Sequence, residues 1–208
     1  MAVIAYQYRG ELVDQIHRGH IAVTDHTGRI LWKLGDPERL TFARSSAKPL
    51  QAIPVAESGA LEHYGITPQE LAVICSSHNG EPFHVKAVES ILHKAGLSPD
   101  QLCCGAEYPM YVPAEDALKI AGIPRAPIYC DCSGKHAGML ITARHFGESL
   151  ENYTALEHPV QQRILSVFAE MCGVETSEVQ LAVDGCGVPV QALPPVSYTH
   201  LTLPTNRE

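Results

Sequence analysis

The segment FARSSAKPLQ, residues 42–51, sets Ser45 three residues before Lys48, with Pro49 directly after the lysine. On a helix, side chains at i and i+3 share a face and reach one another. A serine hydroxyl attacks a carbonyl carbon poorly until a base takes its proton, and a neutral lysine amine is one such base. Ser45 and Lys48 are therefore a candidate nucleophile–base pair. The alternative is that Ser45 or Ser46 caps the helix that begins near Pro49. Downstream, ICSSHNGEPFH places Ser77, His78 and Asn79 where an apolar run ends. Ser-x-x-Lys followed by Ser-x-Asn is the motif order of a class of serine acyl-transfer enzymes. A polar turn with Asn-Gly at its tip is the plainer reading of the same residues.

A second group of residues carries sulfur. CDCSGKHAGM supplies Cys130, Cys132, Lys135 and His136 where a helix starts, and DGCGVP adds Asp184 and Cys186 on a tight loop. A helix start favours anions and thiolates through its dipole and free N–H groups. Spacing nominates a zinc site drawn from Cys132, Cys186 and His136, with Cys130 as a further donor. Cys75, Cys103, Cys104 and Cys172 are expected to be buried structural thiols, since free cysteine is among the most buried residue types.

These loops need a scaffold. HIAVTDHTGRILWKLGD predicts a hairpin, and with AVIAYQYRGELVD before it an antiparallel sheet. KPLQAIPVAESGALEHYG predicts a helix that Pro54 bends or interrupts. TPQELAVI opens with Thr67, Pro68 and Glu70, a capping box. Helices follow over EPFHVKAVESILHKAG and PAEDALKIAG. RAPIYCDC is a short β-like run before the apolar helix SGKHAGMLITARHFG. EHPVQQRILSVFAEMCG is an amphipathic helix stopped by Gly173, and VQLAVDGCGVPV is a strand entering a glycine-punctuated loop. Strands, then a helical block, then strands point to an α/β (α+β layered) enzyme rather than a bundle.

Composition excludes several partners. The 208 residues include 15 Lys+Arg against 23 Asp+Glu, a net charge of −8, which argues against a nucleic-acid surface. No apolar run approaches the ~20 residues of a membrane span, and residues 1–20 lack the apolar core of a signal peptide. A cytoplasmic location is expected, and there an odd count of 7 cysteines reads as thiols or metal ligands.

RSSAKPLQ, SSHNGEPFH, CDCSGKHAGML and DGCGVP, in this order, resemble the Rhizobium-type (class 3) L-asparaginases from about residue 5 to Leu193. The resemblance implies a fold like that of the serine β-lactamases and glutaminases, hydrolysis of the side-chain amide of L-asparagine to aspartate and ammonia, and a homodimer when full length. It implies Ser45 with Lys48 as one Ser–Lys pair and Ser77 as the serine of a second. It also implies zinc on Cys132, Lys135 and Cys186, with Asp184 close by and His136 in the substrate pocket; Asn79 joins the substrate-binding residues. The lysine that would partner Ser77 has no counterpart, because no lysine follows Lys135. The expectation is thus an amino-terminal fragment, inactive by itself, with a domain over residues 1–195 and a non-native, poorly packed tail over 196–208. Two rivals share some of these motifs: a penicillin-interacting serine hydrolase, and a non-catalytic zinc-binding or redox-sensing protein. The first lacks a following Lys-Thr-Gly, and the second has no use for Ser45 and Lys48.

Overall fold

The computed structural model describes residues 1–199. Two hairpins come first: β1 (Ala2–Arg9) with β2 (Leu12–Gly19), and β3 (Ile21–Thr24) with β4 (Ile30–Leu34). They are separate two-stranded sheets rather than the single sheet expected, and apolar side chains such as Tyr6, Leu12, Ile16 and Trp32 remain exposed on them. The short β5 (Thr41–Phe42) then leads into the helical block.

That block contains α1 (Lys48–Glu57), α2 (Ala60–His63), α3 (Pro68–Ile74), α4 (Pro82–Lys94), α5 (Val112–Ile120), α6 (Ser133–His145) and α7 (Pro159–Cys172). Pro54 does not interrupt α1, which runs through it. The break falls instead at Gly59, whose φ of 80° is left-handed and costs glycine little. Thr67 and Glu70 form the expected capping box, with Thr67 N–H donating to Glu70 Oε2 at 2.6 Å. The β-like run before α6 is a 3-10 turn over Pro127–Tyr129. Proline fixes φ there, and the one neighbouring strand contact is the single bridge Glu107–Ala126.

Helix α6 is the axis of the core, buried on every side from Ser133 to Ala143. Its glycines make this possible. A Cβ on Gly134 would stand 2.4 Å from the Val73 carbonyl oxygen, and one on Gly138 would stand 2.6 Å from Ile74 Cγ2. Only bare backbone lets α6 cross α3 this closely.

The chain closes with β6 (Gln180–Val183), β7 (Pro189–Leu193) and one helical turn, α8 (Val196–Thr199). Strand β7 is buried along its length and lies between β5 and β6, antiparallel to both. The sequence reading set residues 196–208 apart as a poorly packed tail. Tyr198 packs against the cluster of Leu165, Phe168 and Leu193, and residues 200–208 lie outside the described residues. Mixed strand–helix–strand order with small antiparallel sheets is the α+β arrangement expected.

Candidate active site

Pairing of β5 with β7 brings two distant loops together. The chain leaves β5 straight into Ser45, and it enters β7 from the Asp184–Cys186 turn; Ala43 N–H donates to Gln191 O at 2.9 Å to seal the junction. Ser45 sits on a 3-10 turn, Arg44–Ala47, and Lys48 starts α1. No side chain caps α1, so the capping alternative for Ser45 and Ser46 does not apply.

Lys48 is buried, 1 % exposed, and its Nζ donates to Ser77 Oγ at 2.6 Å. Ser77 Oγ in turn donates to Ser45 Oγ at 3.1 Å. The two motifs therefore converge, but Lys48 meets Ser45 through Ser77 rather than directly. Asp131, which sequence reasoning passed over between its two cysteines, faces the same amine with Oδ2 at 3.9 Å. Burial would raise its carboxyl, but the Lys48 charge and hydrogen bonding with the neighbouring thiols outweigh that and hold it below the usual range.

The Ser77 loop is anchored by His78. Its Nδ1 accepts from Gly80 N–H at 3.1 Å, which leaves Nε2 protonated to donate to Ser133 Oγ at 2.8 Å. His78 N–H also donates to Asp131 O at 3.2 Å. Burial, with the nearby His84 and Lys48, pushes the imidazole down to about 4. Asn79 is exposed, and its backbone carbonyl accepts from Tyr111 N–H.

Opposite this line lie the thiols. Cys132 ends the loop before α6, and Cys186 sits on the β6–β7 turn, where Gly187 takes a φ of 86°. Lys135 Nζ is 3.1 Å from Cys186 Sγ, both side chains buried. His136 is fully buried behind Cys186 and has no surface on the cleft. Its Nδ1 is 2.7 Å from Tyr153 Oη, and its Nε2 has no well-formed hydrogen bond. Hydrogen bonding with Cys130 raises the Cys132 thiol, and hydrogen bonding with Cys132 raises that of Cys186; burial adds to both. Of the donors nominated by spacing or implied by the resemblance, Lys135 meets Cys186 directly, and Cys130, Cys132 and Cys186 line the same cleft. Among the remaining cysteines only Cys104 is buried; Cys103 is exposed, and Cys75 and Cys172 are half-buried.

A cleft of about 170 Å³ runs between the two sides, lined by Ser45, Asp131, Cys132, Asp184, Cys186 and Arg44, among others. Asp184 pairs with the Arg44 guanidinium at 3.2 Å. Arg44 was also missed by sequence reasoning. Its φ of 48° is unusual for a side-chain-bearing residue, and its place directly before Ser45 was the available signal.

Residues 5–203 match the family model described as L-asparaginase II. The chain belongs to that family. It is accordingly an asparaginase-type amidohydrolase, and the penicillin-interacting and non-catalytic alternatives give way to that assignment. No individual curated protein matches the chain closely enough to count as a relative. Among the described residues no helix is long and apolar enough to cross a membrane.

Proposed function

We propose that the chain hydrolyses the side-chain amide of L-asparagine to L-aspartate and ammonia, with Ser45 as nucleophile, Ser77 as relay and Lys48 as base. The observation that carries this reading is the hydrogen-bonded line from Lys48 through Ser77 to Ser45, which ends on the cleft. With the amine neutral the line runs in reverse. Ser45 attacks the carboxamide carbon, its proton passes to Ser77, and the Ser77 proton passes to Lys48. Asp131 faces the ammonium so formed. That proton returns to the departing nitrogen, ammonia leaves, and water cleaves the Ser45 ester with the same groups as base and acid. The substrate is a zwitterion. Arg44 matches its α-carboxylate and Asp184 its α-ammonium, and their ion pair holds both at the cleft.

Zinc belongs to the same proposal, held by Cys132, Lys135 and Cys186. Two buried thiols beside a lysine amine suit a thiophilic cation, and a buried His136 Nε2 without a partner lies alongside. Bound there, zinc would compensate the thiolate charges and order the wall that receives substrate. His136 supports that wall through Cys186, and Asn79 supports the Ser77 loop.

The Rhizobium-type subdivision, with a serine β-lactamase- and glutaminase-like architecture and a homodimer, is the finer part of the reading. Its support is the strand–helix–strand order and the exposed apolar side chains of both hairpins, which further protein surface would cover. Free thiols on the cleft suit a reducing compartment, the cytoplasm.

Ammonia release from L-asparagine tests the reading, on this chain and on the same chain continued by the carboxy-terminal half of a family member. Release is expected from the continued chain, in which Ser45, Ser77 and Lys48 are the groups that the reaction uses. Retained release in Ser45→Ala with loss in Ser77→Ala would move the nucleophile to Ser77. No release from the continued chain would sink the proposal.

A further inference from the structure

The cleft carries donors that neither amide hydrolysis nor the Cys132–Lys135–Cys186 set uses. Cys104 and Cys130 are both buried, 3 % exposed, and both line it. Cys130 Sγ lies 3.7 Å from Asp131 Oδ1 and donates to Cys104 O at 3.5 Å, while Cys104 Sγ donates to Pro127 O at 3.3 Å. The donor atoms of Cys130, Asp131 and Cys132 all lie within 4.8 Å of one another. We propose that Cys130, Asp131 and Cys132, with Cys104 behind them, form a second position for a thiophilic divalent cation, Zn²⁺ or Cd²⁺, that shares Cys132 with the first.

The chemistry suits such a cation. Two soft thiols and one carboxylate converge where α6 starts, and the free N–H groups of that helix of 13 residues favour thiolate. Tetrahedral Zn–S bonds of ~2.3 Å set donors about 3.8 Å apart, so side-chain rotation of about 1 Å closes the set. Binding releases the protons of Cys130 and Cys132 to solvent and leaves two thiolates and a carboxylate around the cation. Asp131 is presented for this on one oxygen, since Oδ2 faces Lys48 and Oδ1 faces Cys130.

The test is a Cd²⁺ titration of the reduced, metal-free 208-residue chain. It is followed by cadmium–thiolate absorption in the ultraviolet, and the bound ions are counted by native mass spectrometry. Two Cd²⁺ per chain are expected, one in Cys130→Ser, one in Cys186→Ser and none in the double variant, with Asp131→Asn weakening one binding step about tenfold. Cys130→Ala repeats the count with a side chain that offers no donor. A wild-type count that survives both Cys130 substitutions overturns the proposal, whether it is one or two. A single Cd²⁺ lost in Cys130→Ser and kept in Cys186→Ser retains this position and overturns the Cys132–Lys135–Cys186 set instead.

Discussion

The cleft has two walls of opposite character. On the serine wall, hydrogen bonds of 2.6 and 3.1 Å join Lys48, Ser77 and Ser45, His78 is tied to Ser133 at 2.8 Å, and Ser77 is open to solvent. On the thiol wall, Cys132, Lys135, His136 and Cys186 are buried, and their contacts are a lysine amine against sulfur and a histidine nitrogen with no good partner. A hydrogen-bonded line with solvent at one end can pass protons. A buried set of soft donors can hold a cation but has no proton path of its own. Asp131 stands between them, one oxygen toward each.

The largest expected effect separates the walls outright. In the continued chain, Ser45→Ala should lower kcat for ammonia release by about 10³-fold or more and leave the Cd²⁺ count unchanged. A changed count would mean that the walls are one unit. Next comes the anchor that ties the Ser77 loop to α6. Folded His78 titrates at about 4 against an ordinary 6.5, so between these values the unfolded chain binds the extra proton. Stability is then full above pH 6.5 and falls as the pH drops toward 4, by on the order of 3 kcal/mol. His78→Gln should flatten that slope in a series of urea melts; an unchanged slope would assign the loss to other groups.

A smaller effect probes the thiol wall through its backbone. Gly134→Ala drives a Cβ into the Val73 carbonyl and should cost about 1–3 kcal/mol by displacing the start of α6. Cation affinity should fall with it, while the Ser77 loop, tied to α6 only through His78 and Ser133, should be disturbed less. Equal damage to ammonia release and Cd²⁺ binding would blur the distinction. The smallest concerns the helix before the Ser77 loop. Thr67→Ala removes the N-cap of α3 and should lower stability by about 1 kcal/mol, with no change in either wall's chemistry. A shift in KM would show that α3 transmits to the serine wall.

Local rules were legible in the chain because local chemistry decides them. Thr67, Pro68 and Glu70 announce their own helix start, and Gly173 its stop, here with a φ of 67°. The break in the helix after Lys48 was misplaced at Pro54. A proline inside a helix forfeits one hydrogen bond that surrounding packing can offset, whereas Gly59 takes a left-handed φ that ends the turn. The 3-10 turn at Pro127 was misread as strand for a related reason: β-rich residues become a strand only beside a partner.

The residue types alone determined that this chain would bring a serine, a lysine and a set of thiols to loops and helix starts, since hydroxyls, amines and sulfur next to glycine turns are written in the sequence. Which of them touch was decided only by tertiary structure. Lys48 meets Ser77 because α1 and the loop after α3 pack on the same face of α6, and Ser45 faces Cys186 because β5 and β7 pair across a long stretch of chain. Asp131, Arg44 and His78 acquire their places from the same long-range packing. No spacing rule reaches that far, because spacing reports neighbours along the chain, and a site is built from neighbours across it.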